Sequence, residues 1–197
     1  MLSPLLLFLP LASLLLMLLP LLAFLAIAVF LYRGLFLDPS ELPSALIGKP
    51  FPAFSLPSLE DPERAISEAD IKGKPALVNV WATWCPPCIE AIPTLEAIHR
   101  DLADEVRVIS IATDPAGVVG PWLEARRARV AEGVLKPIAV PTYPIITSDR
   151  PLPELATAAR AYPTMWLLAP DGTVLHEMVG GQDLPTILTM IRMAGVP

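Results

Sequence analysis

An α/β fold, with a central mixed β-sheet flanked by helices and an N-terminal stretch suited to lipid, is what this chain predicts. Three observations carry that expectation. The run Pro75 to Ala82 is almost continuously apolar and suits a central strand, and Glu105 to Thr113 reads as a second buried strand. Between them Ile92, Leu95, Ile98 and Leu102 recur at helical spacing, with Glu96, His99 and Arg100 interspersed, which makes a strand, helix, strand unit. Finally, Met1 to Tyr32 contains no charged side chain and is dominated by leucine.

That N-terminal run exceeds the ~18 apolar residues that suggest a membrane span. A cleaved secretory signal would need a basic start, a shorter apolar run and a small-residue cut site, and only Ala26 to Ala28 fits. Residues 1–33 are therefore read as a retained membrane anchor. Pro10 and Pro20 each remove a backbone donor, so the expectation is a kinked or tilted helix, or a short re-entrant piece before a span from about Leu14 to Leu31. Residues 34–46, rich in Pro and Ser, read as a tether, and residues 47–197 as one domain. The net charge of -6 gives no reason to expect a nucleic-acid partner.

Within the domain, Phe51 to Leu59 suggests a short edge-like extended segment, followed by the strand, helix, strand unit. Gly120 to Leu135 reads as a surface helix with Pro121 in its first turn. Lys136 to Pro153 is proline-rich, a loop with a short strand near Ile145 and Ile146, and a short helix is expected from about Glu154 to Ala161. Two apolar runs flank Pro170, Asp171 and Gly172, the signal of an antiparallel hairpin. Asp183 can cap a last helix with Pro185 in its first turn, running to about Met193. The whole reads as a mixed sheet with helices on both faces.

The chain has two cysteines, Cys85 and Cys88, in the stretch "NVWATWCPPCIEAIP". A framework of several disulfides is excluded, and a zinc site would need further ligands. His99 and His176 lack the usual ligand spacing. Position favours reactivity, because Cys85 falls where a buried strand ends and a helix begins, and the positive end of a helix stabilises a thiolate. Cys88 is close enough to attack a mixed disulfide formed on Cys85. Trp84 offers an apolar contact face or, alternatively, packs in the core. A second reading, from another class, is a membrane-tethered module whose CxxC carries Cu(I) or acts as a chaperone without turnover.

The segment "VNVWATWCPPC" resembles the active-site segment of thioredoxin-fold proteins, in particular the membrane-anchored TlpA-like family with its ResA-like and CcmG (DsbE)-like members. "GKPFPAFSLP" is similar to that family's domain opening, Pro93 to the proline that kinks its active-site helix, and "YPTMWLLAPDG" to its proline loop and hairpin. The resemblance covers about Ile47 onward. It implies a thioredoxin-like fold and thiol-disulfide oxidoreductase activity, with Cys85 as nucleophile, Cys88 as the resolving cysteine and their redox-active disulfide in place of any cofactor. It also implies a cis peptide bond before Pro163, a substrate groove shaped by Trp84, Tyr162 and Pro163, and structural roles for Pro86, Pro87 and Pro93. The implied partners are disulfide-containing proteins, in cytochrome c maturation for example, and a membrane thiol that donates electrons. The implied location is the extracytoplasmic face of the cytoplasmic membrane, although Arg33, the basic residue nearest the span, taken alone disfavours export.

The sequence departs from its relatives in three places. Thioredoxins have a buried aspartate six residues before the first cysteine, where Asn79 stands here. TlpA-like proteins commonly have a glutamate three residues after the second cysteine, where Ala91 stands, and Glu90 is turned away by ~100°. Pro86 and Pro87 offer no N–H to the Cys85 sulfur. The expectation is a moderately depressed Cys85 pKa and a reducing pair. A thiol peroxidase is disfavoured because Ala82 stands where that pattern has threonine.

Overall fold

The computed structural model describes residues 5–34, 45–147, 159 and 161–195, with side chains of the first helix described from Leu18 onward. The chain divides into two units, Met1–Leu42 and Pro43–Pro197. In the first, α1 (Leu5–Gly34) runs unbroken through Pro10 and Pro20, so no separate re-entrant piece forms. Leucine and alanine propagate a helix readily. From Leu18 to Tyr32 its large apolar side chains are exposed, Phe30 to 77%. Among the described residues no helix is long and apolar enough to cross a membrane. Ten of the residues expected to form the tether, 35–44, lie outside the described set.

The second unit is built on a five-stranded sheet. In chain order its elements are β1 (Ser55–Pro57), β2 (Ala65–Ser67), β3 (Ala76–Trp81), α2 (Pro86–Asp101), β4 (Arg107–Ala112) and α3 (Ala116–Ala131), then β5 (Ile145–Thr147), β6 (Thr164–Leu168), β7 (Val174–Val179) and α4 (Leu184–Met193). The sheet order is β5-β4-β3-β6-β7, with β3, β4 and β5 parallel and β6 and β7 antiparallel additions. β3 lies at the centre and every one of its residues is buried, as its unbroken apolar run requires. β1 and β2 form a separate antiparallel pair.

Alternation along β3 sends Leu77 and Trp81 to one face, where Ile92, Leu95 and Ile98 of α2, Val119 and Leu123 of α3, and Ile187 and Ile191 of α4 pack against them. Ala76, Val78 and Val80 point to the other face, onto Phe51, Phe54, Ile71 and Ala159. The three described α-helices of this unit thus share one face, while Ala159, from the segment where a further helix is expected, packs on the other. Successive right-handed crossovers from β3 to β4 to β5 in one direction deliver α2 and α3 to the same side. The helix expected over 154–161 lies outside the described residues apart from Ala159 and Ala161.

The second face is strapped by the chain leading into β1. Phe51 N–H donates to Gly172 C=O at 2.9 Å, and Val174 N–H to Lys49 C=O at 2.9 Å. At the opposite edge Leu59 N–H donates to Ile145 C=O at 2.8 Å. The edge strands β7 and β5 are thereby both partnered by this arm, which blunts them against pairing with other chains.

Local signals explain most boundaries. The β6–β7 turn needs Gly172 at φ +90, and a Cβ there would also meet the Lys72 side chain at 3.4 Å. Asp183 caps α4 by accepting the Thr186 N–H at 3.0 Å, as its position before Pro185 suggested. α3 differs from expectation: it starts at Ala116, so Pro121 is interior and not in the first turn. The missing Pro121 N–H leaves the Gly117 carbonyl, four residues back, without its intrahelical donor.

Glu96, on α2, is buried, with 2% of its surface exposed. Its two carboxylate oxygens accept from Thr142, one from the backbone N–H and one from the hydroxyl, each at 2.7 Å, which pins the loop before β5 to α2. Burial, and after it the nearby Glu96 carboxylate, push the Tyr143 phenol far above its ordinary range.

Glu96→Ala removes both acceptors from the Thr142 loop and is expected to lower unfolding free energy by about 1.5 to 3 kcal/mol in chemical denaturation, with Glu96→Gln losing less. At α4, hydrogen bonds from the Thr186 side chain and backbone hold the Asp183 carboxyl below its ordinary value. A depressed folded-state value stabilises above the unfolded value and loses that effect as pH falls. Asp183→Ala is therefore expected to lower Tm at neutral pH, with the gap to wild type closing below about pH 4 in a thermal melt series.

Candidate active site

The site forms where β3 leaves the sheet. Trp81 C=O still accepts from the N–H and hydroxyl of Thr113, at 3.0 and 3.3 Å. Two residues on, Thr83 N–H donates to Asp114 Oδ2 at 2.6 Å, and Cys85 N–H then donates back to Ala82 C=O at 3.2 Å. This turn reverses the chain into α2, with Cys85 as an extended N-cap at φ -99 and ψ 102.

Pro86 and Pro87 occupy the first two positions of α2, where a missing N–H leaves no intrahelical bond unmade. The N–H groups of Cys88 and Ile89 both donate to Cys85 C=O, at 3.1 and 3.2 Å. In this arrangement none of the first four α2 residues directs a free backbone donor at the Cys85 sulfur. The positive helix end acts there through its field alone.

Cys85 and Cys88 are joined in a disulfide with S–S 2.05 Å and Cα–Cα 5.3 Å. Both are nearly enclosed, Cys85 at 4% and Cys88 at 1% exposure. Beside them Trp84 is 66% exposed, so its alternative role as a core residue does not hold. Its ring meets that of Tyr162 edge to face, with centroids 5.8 Å apart. This contact brings together the two segments that the sequence had marked separately.

The Tyr162–Pro163 peptide is cis. Thr164 Oγ donates to Ala161 C=O at 2.6 Å, and Gly180 N–H donates to Pro163 C=O at 2.8 Å, which fix this loop at the start of β6. Gly181 also approaches the site: a Cβ there would lie 3.7 Å from Pro87 C=O. Pro93 sits inside α2, where it removes one rung of the helix ladder.

Asn79 is buried to 2% on the β3 face that carries Leu77 and Trp81, beneath α2. Its Nδ2 donates to Ser110 Oγ at 3.4 Å, and its Oδ1 has no partner. Ala91 is buried and Glu90 exposed, so the glutamate does point away from the place that Ala91 fills.

His99 is stacked edge-on against Tyr143 at 6.0 Å, and His176 lies in β7, two separate surroundings. Among the described residues no group of three or more His, Cys, Asp or Glu is disposed to hold a metal ion. Thr113 and Asp114 were missed in the sequence. The available signal was their position just past a strand parallel to β3, since parallel strands present their C-terminal ends at one edge.

Residues 47–177 match the model of the AhpC/TSA family. The Thiol:disulfide interchange protein DsbE of Pseudomonas aeruginosa is 72% identical over 79 residues, covering 40% of this chain and 44% of that protein. The DsbE of Escherichia coli is 52% identical over 79 residues, covering 36% of this chain and 42% of that one. The matched segment thus spans less than half the length of these relatives. A DsbF homologue from Corynebacterium diphtheriae has a TM-score of 0.58 at 20% identity, covering 80% of this chain and 97% of that one. A thio-disulfide isomerase from Thermus thermophilus has a TM-score of 0.57 at 21% identity, covering 77% and 98%. At such identities these structures speak for the fold, which is thioredoxin-like. With its sheet, its helices and its family match in agreement, the chain belongs to the AhpC/TSA family.

Proposed function

We propose that the protein is a membrane-tethered thiol-disulfide oxidoreductase that reduces disulfides of chosen extracytoplasmic proteins. The observation that carries this is the Cys85–Cys88 disulfide at the start of α2, beside the exposed Trp84 that meets the cis-Pro163 loop through Tyr162. The similar DsbE proteins, named thiol:disulfide interchange proteins, support the same chemistry.

In the reduced enzyme the Cys85 thiolate attacks one sulfur of a substrate disulfide. A Cys85–substrate S–S bond forms, the substrate S–S bond breaks, and the leaving sulfur takes the electron pair and then a proton. The Cys88 thiolate next attacks the Cys85 sulfur, closing the Cys85–Cys88 bond and releasing the second substrate thiol. Two electrons have passed to the substrate, leaving the oxidised pair seen here. Return to the dithiol requires an external reductant, for which a membrane thiol carrier is proposed, because an extracytoplasmic compartment is oxidising.

Pro163 and Tyr162 offer backbone to an extended substrate segment, and Trp84 an apolar contact. The tether is proposed from the charge-free run Met1 to Tyr32 and the exposed apolar side chains of α1. The TlpA-like resemblance supports an extracytoplasmic, periplasmic setting, with cytochrome c maturation as one pathway. Catalysed turnover by metal-free protein distinguishes this reading from a copper-carrying CxxC module.

Cys88→Ala in the full-length protein is expected to retain substrates as mixed disulfides on Cys85, which appear as higher-mass, thiol-sensitive species on non-reducing gels. If Cys85 stays alkylatable and no partner is held, the reductase reading fails. Trp84→Ala is expected to reduce kcat/KM for a protein disulfide by roughly tenfold, a loss of ~1.4 kcal/mol in transition-state binding, while leaving Tm within about a degree. An unchanged kcat/KM would remove Trp84 from the substrate surface.

A further inference from the structure

We propose that Asp114 is a positioning residue for Cys85, holding the turn that presents the sulfur and placing beside it a negative charge that keeps the pair on the reducing side. The inference deepens the thiol-disulfide reading above and rests on it.

The geometry is specific. As β3 ends, Thr83 N–H leaves the sheet ladder and needs an acceptor, and Asp114 Oδ2 supplies it at 2.6 Å. The adjacent Thr113 grips Trp81 C=O with both its N–H and its hydroxyl. The two residues past β4 therefore clamp the Trp81 to Cys85 turn at two points. Thr83 and Cys85 are two residues apart, so their Cα atoms lie within about 7 Å. The Asp114 carboxylate is thus held close to the nucleophile by a bond to its own turn.

Among the described residues Asp114 has no basic partner within bridging distance, and the ion pair there joins Arg127 to Glu60. The first turn of α2 contains no acidic residue, Glu90 further along α2 is exposed, and the cis-proline loop contributes the neutral Tyr162. On the β3 row beneath α2 stands Asn79, which carries no charge. Among the described residues Asp114 is thus the carboxylate bonded to the turn, opposed by the positive end of α2.

A carboxylate several ångströms from a sulfur disfavours its thiolate, in an effective dielectric of about 20 by roughly one pKa unit. A less stable thiolate makes the dithiol the better electron donor. Asp114 thereby works in the same direction as Pro86 and Pro87, whose missing donors also leave the thiolate less stabilised.

The test uses full-length reduced protein, with the Cys85 pKa taken from the pH dependence of its alkylation rate and the redox poise from equilibrium with glutathione. Asp114→Asn keeps an acceptor for Thr83 N–H and removes the charge. It is expected to lower the Cys85 pKa by about one unit and to move the glutathione equilibrium several-fold toward the dithiol. Asp114→Ala is expected to show the same thiol shift with an additional fall in exchange rate, since the turn is then unheld. An Asp114→Asn protein with wild-type alkylation profile and equilibrium, or a shift in the opposite direction, overturns the proposal. Both readouts use Cys85 and Cys88 alone. They stay informative if the wild-type protein reduces no protein disulfide, an outcome that would count against the functional reading instead.

Discussion

Everything at the candidate site depends on β3 being hydrogen-bonded along both sides until it ends. Its ladders run to Trp81 opposite Ala112 on β4 and to Val80 opposite Thr164 on β6. Beyond those pairs the backbone must leave the sheet, and each neighbouring strand contributes what lies at the same edge. The parallel neighbour β4 offers the residues after its C-terminus, Thr113 and Asp114. The antiparallel neighbour β6 offers the residues before its N-terminus, Tyr162 and Pro163. Strand direction alone therefore gathers the Cys85 turn, a carboxylate and a proline loop from positions far apart in the chain.

Helix α2 then sets the surroundings of Cys85. Prolines at its first two positions suit the backbone, since their φ is already helical and their absent N–H groups would be orphans in any case. The same choice strips the helix end of its nearest donors. A helix N-terminus stabilises an anion through its field and through its free N–H groups together, and this one has kept the field and lost the donors. Next to the cysteines the packing under α2 is uncharged as well, with Ala91, Ile92 and Leu95 buried above Asn79 and Ser110, while the buried Glu96 is engaged further along by Thr142. Asn79 leaves one oxygen unpaired in a buried place, a cost of about 1 to 3 kcal/mol. An amide there can neither store nor release a proton.

Legibility in the sequence followed the range of the interaction concerned. β3, α2, the β6–β7 hairpin and α4 announce themselves within a dozen residues, through apolar runs, helical periodicity, a Pro-Asp-Gly turn and an Asp cap. β2 has one buried residue, Ile66, and exists because β1 pairs with it, so no local pattern could reveal it. The start of α3 was displaced because Pro121 looked like a first-turn proline, although the chain already turns helical at Ala116. Asp114 meets Thr83 across 31 positions and Glu96 meets Thr142 across 46. Such contacts follow from topology and leave no trace in local spacing. Trp84 was open between core and surface because both readings fit an aromatic beside a buried strand, and only the turn's direction decides between them.

The topology also separates the site from the point where the chain joins this unit. Lys49 and Phe51 pair with Val174 and Gly172 at the hairpin end of β6 and β7. Thr164, next to Pro163, is at the other end of β6, four residues from Leu168, a distance of about 13 Å along a strand. The arm that continues from Lys49 packs on the sheet face opposite α2 through Phe51 and Phe54, whereas the exposed Trp84 meets Tyr162 at the edge where β3 ends. For the proposed exchange with protein disulfides, an approach to Cys85 along that exposed aromatic contact would leave the packing of Phe51 and Phe54 undisturbed.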